Sequence, residues 1–216
     1  EESSEEESSD LDSIMSDQEL TATINTFPVQ LIALELLDCT LDKLIEIEDD
    51  NFLTINLPNK KSIRINALEN KEIISCLFQI IMTLVTYQKV FDFTHNDLHT
   101  NNIMFKLTDK QFIYYKYNNA YYKVPTYGKI YKIIDFGRSI YKYKNNLFCS
   151  DSYKQKGDAA GQYNFKPYYN KNKPEIKPNK SFDLCRLGTC LFDFYVIDED
   201  EVHDEEEMDF TKEDLN

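Results

Sequence analysis

The chain reads as an α+β protein: a long central helix, a β-hairpin behind it, and a second apolar helix further on. Three observations carry this. From Asn70 to about Lys89, Ile73, Leu77, Ile80, Ile81 and Leu84 recur on one helical face, and Ile74, Phe78 and Val85 widen it. Tyrosines and β-branched residues surround Asn118-Asn119 between Gln111 and Val124, the pattern of a hairpin with a two-residue turn. Ser181-Phe182-Asp183-Leu184 then opens another apolar helical stretch that runs through Ile197.

Charge divides the chain before any motif is considered. The net charge is −14 over 216 residues, yet residues 1–19 carry −9 and residues 198–216 carry −10, which leaves the middle at +5. Glu1 to Asp10 has no hydrophobic residue to bury, so ordering it would cost backbone entropy without return. Residues 1–26 and 198–216 are therefore expected to be acidic disordered segments or insertions around a domain over 27–197. Serines among the acids allow interaction tails or phosphorylation targets, and a solubilising linker is the plainer reading. The five cysteines, Cys39, Cys76, Cys149, Cys185 and Cys190, show no framework spacing, which points to reduced thiols and a cytoplasmic setting. No secretory signal opens the chain, and the apolar run within Ile73–Val85 is too short and interrupted to span a bilayer. Since the first residue is Glu, the chain reads as a piece of a longer polypeptide.

The elements follow in order. Residues 27–37 read as a buried strand bounded by Pro28 and Asp38. Thr40 is a plausible N-cap for a short helix over Leu41–Ile45. Asn66-Ala67-Leu68-Glu69 has the spacing of a capping box opening the central helix. The Tyr/Lys interleave of the hairpin could stack bases and neutralise phosphates, but an amphipathic hairpin is the favoured reading, so no nucleic-acid partner is assigned. Lys154–Lys180 is Lys-rich with three prolines and reads as a long loop.

Two short motifs carry the chemistry. His95-Asn96-Asp97-Leu98-His99-Thr100-Asn101-Asn102 follows the central helix closely, and Ile133-Ile134-Asp135-Phe136-Gly137 lies 38 residues further on. A carboxylate at Asp97 can orient an acceptor hydroxyl, and Asn102 with Asp135 supplies the oxygen ligands that magnesium prefers. His95 and His99 are four apart, but a helical zinc motif needs Glu after the first His, and Asn96 stands there.

The spacing H-x-D-x-x-x-x-N followed by D-F-G resembles the catalytic and metal-binding loops of the protein-kinase-like superfamily. The resemblance covers roughly residues 28–197. It implies a protein-kinase-like fold consisting of the hinge and a mainly helical C-lobe with a β-hairpin insertion, the N-lobe being largely missing. It implies ATP and Mg2+ as cofactors, Asp97 as the catalytic residue, and Asn102 and Asp135 as metal ligands. By the same match Glu35 and Leu37 offer main-chain contacts to adenine, Met104 lies under it, and Asp183 anchors the backbone of the catalytic loop. Phe136 and His95 are packing and orienting residues, and Gly137 gives a mobile loop its backbone freedom.

Departures from the pattern bear on the acceptor. His99 stands where Ser/Thr kinases usually have Lys, as in haspin-type or aminoglycoside- and choline-type kinases, and Asn96 replaces the common Arg before Asp97. A clear Ala-Pro-Glu is absent, and upstream of Glu35 there is no Gly-rich loop or Val-Ala-Ile-Lys strand. With its abundant Asn, Lys, Ile and Tyr, its Tyr-rich hairpin and Asp135-Phe-Gly-Arg-Ser139, the chain is most similar to the protein kinases of giant viruses, which extends its setting to host cytoplasm or virion. The expected activity is phosphoryl transfer to Ser/Thr of a protein, with this stretch alone inactive. A small-molecule kinase and an inactive pseudokinase scaffold stay open.

Overall fold

The computed structural model describes residues 26, 31–48, 51–57 and 61–196, the last four of these as backbone alone. Residues 1–35 and 36–216 form two units, each described by itself. The acidic segments expected over 1–26 and 198–216 lie outside the described residues, apart from Thr26.

In the first unit, residues 31–35 form no strand, and Leu31 and Leu34 are 92% and 82% exposed. This corrects the buried strand expected over 27–37, of which 27–30 lie outside the described residues. The physical reason is visible where the second unit begins. β1 (Cys39–Thr40) pairs antiparallel with β4 (Ile103–Leu107), and the Asp38 N–H donates to the Phe105 carbonyl at 2.9 Å. The next ladder donor on that edge, Leu107 N–H, is taken by the Asp38 carboxylate at 2.7 Å. A side chain thus occupies the place of a backbone acceptor, and the ladder stops at residue 38.

Helix α1 (Leu41–Ile45) starts as expected, with Thr40 Oγ1 accepting from Lys43 N–H at 3.5 Å. β2 (Phe52–Asn56) and β3 (Ser62–Asn66) form a hairpin that buries Ile55 and Ile65. Because Asn66 ends β3 opposite Phe52, it does not cap the next helix. Instead Glu69 is the N-cap of α2 (Asn70–Phe91), and Glu72 reaches back to its N–H at 3.1 Å. The capping box is real but one helical turn later than Asn66-x-x-Glu69.

The face of α2 that faces the core also differs from the expected stripe. Ser75, Cys76, Gln79, Ile80, Met82 and Leu84 are buried, whereas Ile74 and Ile81 are exposed. Two polar groups set this rotation. Ser75 Oγ donates to the Pro125 carbonyl at 2.5 Å, and Gln79 accepts from Tyr131 N–H at 3.0 Å while donating to the Lys129 carbonyl at 3.4 Å. Satisfying strand backbone with these side chains outweighs the apolar periodicity. By length and apolar composition the 22-residue helix would be able to cross a membrane, unlike the shorter run read within it.

β4 and β7 (Lys129–Ile133) are antiparallel neighbours, giving the sheet order β1-β4-β7 with Ile103 opposite Ile133. Between them β5 (Phe112–Tyr117) and β6 (Ala120–Pro125) form the expected hairpin, turning at Asn118 and Asn119 with φ 46° and 63°. Positive φ at both turn positions is the twist a two-residue hairpin requires. Phe78 of α2 holds the hairpin through Tyr115 and Tyr122, with ring centroids 5.9 and 5.4 Å away. A third hairpin, β8 (Tyr141–Tyr143) and β9 (Asn146–Phe148), was not foreseen.

The main core gathers Leu41, Leu44, Ile80, Phe93, Ile103 and Phe105 with their neighbours. Leu44 and Ile80 are wholly buried, each worth about 1.5–3 kcal/mol. The Lys154–Lys180 stretch is largely turns, but its Ala159 and Phe165 join Ile140 and Tyr153 in a second small core. α3 (Phe182–Val196) closes the described chain. The described residues thus hold three helices and nine strands, a mixed α/β arrangement with more strand than a mainly helical lobe.

Candidate active site

The His95–Asn102 segment is held from below by one buried carboxylate. Asp183, in the first turn of α3, is fully buried and accepts His95 N–H at 2.8 Å and Asn96 N–H at 2.7 Å. Burial pushes its carboxyl above the usual range, and the two backbone donors oppose that shift. Asn96 can turn the chain because it adopts φ 67°. Its amide donates to Thr94 Oγ1 at 3.0 Å and to the Arg138 carbonyl at 2.9 Å, while its own oxygen accepts from Tyr163 Oη at 2.8 Å. Asn96, read only as a missing Arg, therefore sews the segment to the Asp135 loop and to the Tyr163 turn.

His95 has both ring nitrogens committed. Nε2 donates to the Ile134 carbonyl at 2.9 Å, and Nδ1 accepts from Asp97 N–H at 3.3 Å. Burial holds its pKa below the ordinary value, keeping the ring neutral with the proton on Nε2. This arrangement excludes a zinc site on His95 and His99. Phe136 packs against His95, Phe93 and Tyr87, at centroid distances of 5.6, 6.0 and 6.4 Å.

Asp97, Asn102 and Asp135 meet at one end of the β4–β7 ladder. Asn102 Nδ2 donates to the Asp97 carbonyl at 2.9 Å and to His99 Nε2 at 3.1 Å. Both contacts use the amide nitrogen, so the oxygen is the end available to a cation. Ile134 N–H donates to the Asn102 carbonyl at 2.9 Å, which brings Asp135 to the residue beside that bond. Asp135 is exposed and left-handed, with φ 59°, and its carboxylate accepts from Gly137 N–H at 3.2 Å. Gly137 is not the residue with unusual φ; a Cβ there would lie 3.1 Å from Asp135 Oδ1, so its role is close approach. An amide oxygen and a carboxylate fit Mg2+, whose remaining positions are filled by phosphate and water. Among the described residues no group of three or more His, Cys, Asp or Glu gathers as a metal centre.

The residues matched to adenine are distributed unevenly. Met104 is half-buried on β4, opposite Thr40 of β1 and Lys132 of β7. Leu37 is half-buried and one residue ahead of the Asp38–Phe105 bond. Glu35 belongs to the first unit and is exposed there.

Sequence reading missed two arginines. Arg138 Nη1 and Arg186 Nη2 each lie 3.3 Å from Asp97 Oδ1, and Arg138 also reaches Asp158 at 3.3 Å. The signal was present: Arg138 directly follows Asp-Phe-Gly, and Arg186 is one helical turn beyond Asp183. Only the anchoring of the His95 segment by Asp183 reveals that both arginines face Asp97.

Comparison with known proteins supports a kinase-like relationship. The chain is 37% identical over 97 residues to a probable serine/threonine-protein kinase of Dictyostelium discoideum, covering 42% of this chain and 8% of that protein. It is 33% identical over 102 residues to a protein of Acanthamoeba polyphaga mimivirus named as a putative serine/threonine-protein kinase, covering 44% and 26%. An uncharacterized protein of Invertebrate iridescent virus 6 is 38% identical over 85 residues, covering 38% and 14%. The chain thus spans about a quarter or less of the length of these relatives. No protein-family profile matches it.

Proposed function

We propose that the chain is the catalytic-loop and metal-loop part of an ATP- and Mg2+-dependent phosphotransferase with a protein-kinase-like fold, acting on Ser/Thr hydroxyls of a protein. The observation that carries this is the junction of the two motifs: Asp183 holds His95 and Asn96, and Ile134 N–H meets the Asn102 carbonyl. Phosphoryl transfer asks mainly for positioning and charge compensation; this junction supports the first, and a cation held by Asn102 and Asp135 would supply the second. ATP with Mg2+ would bring the transferable phosphoryl group and neutralise its oxygens. Asn102 and Asp135 would hold the ion, with Leu37 and Met104 at the adenine end. Asp97 orients the acceptor hydroxyl and takes its proton as the new O–P bond forms and the bond to the ADP oxygen breaks.

The test is transfer of labelled phosphate from ATP by the full-length protein to mixed Ser/Thr peptides. Asp97→Ala and Asp135→Ala should each lower the rate by about 100-fold or more. Unchanged rates in both variants, or no transfer by the wild type, would sink the reading. His99 at the Asn102 amide motivates a second acceptor class, the small-molecule alcohols of aminoglycoside- and choline-type kinases. Offering aminoglycosides and peptides side by side separates the two. A scaffold without activity is indicated if ATP and Mg2+ fail to bind.

A further inference from the structure

Asp97 carries more positive charge around it than hydroxyl orientation requires. Arg138 and Arg186 share its Oδ1, and Arg186 is 43% exposed with no second carboxylate partner among the described residues. From Ser139 to Lys180 the chain then holds nine lysines against three carboxylates, Asp151, Asp158 and Glu175. Part of this stretch walls a cleft of about 650 Å3, with Lys142, Lys166, Lys177 and Lys180 among its lining and Ile140 and Phe165 as apolar lining. The cleft lies beside the site: it includes Thr94 and Ile140, whose backbones bond each other in both directions at 2.9 Å. Thr94 immediately precedes His95, and Ile140 is two residues beyond Arg138.

The cleft's cations are not all satisfied from within. Asp92 is shared by Lys142 at 2.7 Å and Lys180 at 2.6 Å, and Glu175 stands 3.7 Å from Lys177. Lys166 has no carboxylate partner among the described residues. Guanidinium forks pair with carboxylates in fixed geometry, and lysines on a cleft wall attract anions with less demand on angle. We propose, resting on the kinase reading above, that the acceptor is an acidic Ser/Thr peptide. Its hydroxyl lies at Asp97, and the carboxylates flanking it are read by Arg186 and by the lysine-walled cleft. A carboxylate-bearing extended chain suits both features, because one continuous ligand must present a hydroxyl to Asp97 and negative charge to either side.

The chain contains a probe of the right composition, the sequence Glu1–Asp10, with Ser3, Ser4, Ser8 and Ser9 among six acids. Two measurements on the full-length protein test the proposal. In the first, a fluorescent Glu1–Asp10 peptide with its serines replaced by alanine is titrated by anisotropy. Saturable binding is expected, weakened about tenfold or more between roughly 0.05 and 0.3 M salt and again by Lys166→Glu with Lys177→Glu. Equal binding of a version with its acids replaced by Gln and Asn overturns the proposal, as does displacement at lower concentration by a single-stranded oligonucleotide of equal charge. In the second, phosphate transfer is compared between the Glu1–Asp10 peptide and its Gln/Asn and Lys versions. A preference of about tenfold for the acidic peptide is expected, reduced in the double variant while the rate on the Gln/Asn peptide stays within about twofold. A preference for the neutral or basic version overturns acidic selection and leaves the kinase reading standing. Binding of the acidic peptide with no transfer to any acceptor overturns the kinase reading, and with it the peptide's role as acceptor.

Discussion

Asp183→Ala is the substitution whose consequence the structure determines most directly. The carboxylate is fully buried and its two oxygens receive His95 and Asn96 N–H at 2.8 and 2.7 Å. Truncation leaves two buried donors unpaired, at about 1–3 kcal/mol each. The same change removes a buried charge whose desolvation already raises the Asp183 pKa, which returns part of that loss. The net expectation is about 2–4 kcal/mol, a large share of the roughly 5–15 kcal/mol that holds a domain folded. Urea denaturation should show it as a lower midpoint with an unchanged slope. Native-state hydrogen exchange localises it: protection of the His95 and Asn96 amides should fall about 30- to 900-fold if the loss is confined to that segment. Asp183→Asn keeps one acceptor and should lose less than the alanine variant. A stability change under about 0.5 kcal/mol in Asp183→Ala, with both amides still protected, would refute the assignment of Asp183 as the anchor.

Three further outcomes are expected. Gly137→Ala places a Cβ 3.1 Å from Asp135 Oδ1, so Asp135 must shift by a few tenths of an ångström; Mg2+-dependent transfer should drop about tenfold with a stability change near 1 kcal/mol, and unchanged transfer would refute close approach as the role of Gly137. His95 is buried with its pKa lowered, so the unfolded chain takes up a proton near pH 6.5 that the native chain refuses; its stabilising contribution is complete above about pH 6.5 and is lost as pH falls toward the lowered native value. Asp183 runs the other way, contributing below the unfolded carboxyl pKa and losing that contribution as pH rises through its raised native pKa, so His95→Gln is the variant that isolates His95: its urea midpoint should rise less, or fall more, from pH 5 to pH 7 than the wild type's, and an identical slope would count against the argument. Asn119→Gly relieves a residue held at φ 63° in the β5–β6 turn and should stabilise the hairpin by about 0.5 kcal/mol, read as a raised thermal midpoint; a fall would show that the Asn119 side chain contributes there.

How much of this was legible depended on whether local physics or distant partners decided each element. The Asn118-Asn119 hairpin, the Thr40 cap and the start of α3 are set within a few residues of chain, and sequence reading found all three. Asp183 was found through its resemblance to an anchoring position, and its hydrogen bonds agree with that. The rotation of α2 was not legible, because Ser75 and Gln79 are buried only by bonding strands about 50 residues away. The strand over 27–37 failed for a related reason: apolar composition shows what could be buried, while the Asp38 carboxylate at Leu107 N–H decides where pairing ends. Arg138 and Arg186 were hidden by sequence distance, since their convergence on Asp97 exists only after α3 docks beneath the His95 segment.

The β4–β7 ladder has a bearing on how this chain can be altered. Asn102 and Ile134 are hydrogen-bonded neighbours, although the β5–β6 hairpin is looped out between their strands. The separation of Asp97 from Asp135 along the chain is therefore independent of their separation in space. Residues added at Asn118-Asn119, at the tip of the hairpin, would lengthen the interval along the chain without lengthening the reach between Asp97 and Asp135. That tip is a natural graft point for a reporter or an affinity peptide, because the Asn102–Ile134 bond is made by β4 and β7 and not by the hairpin.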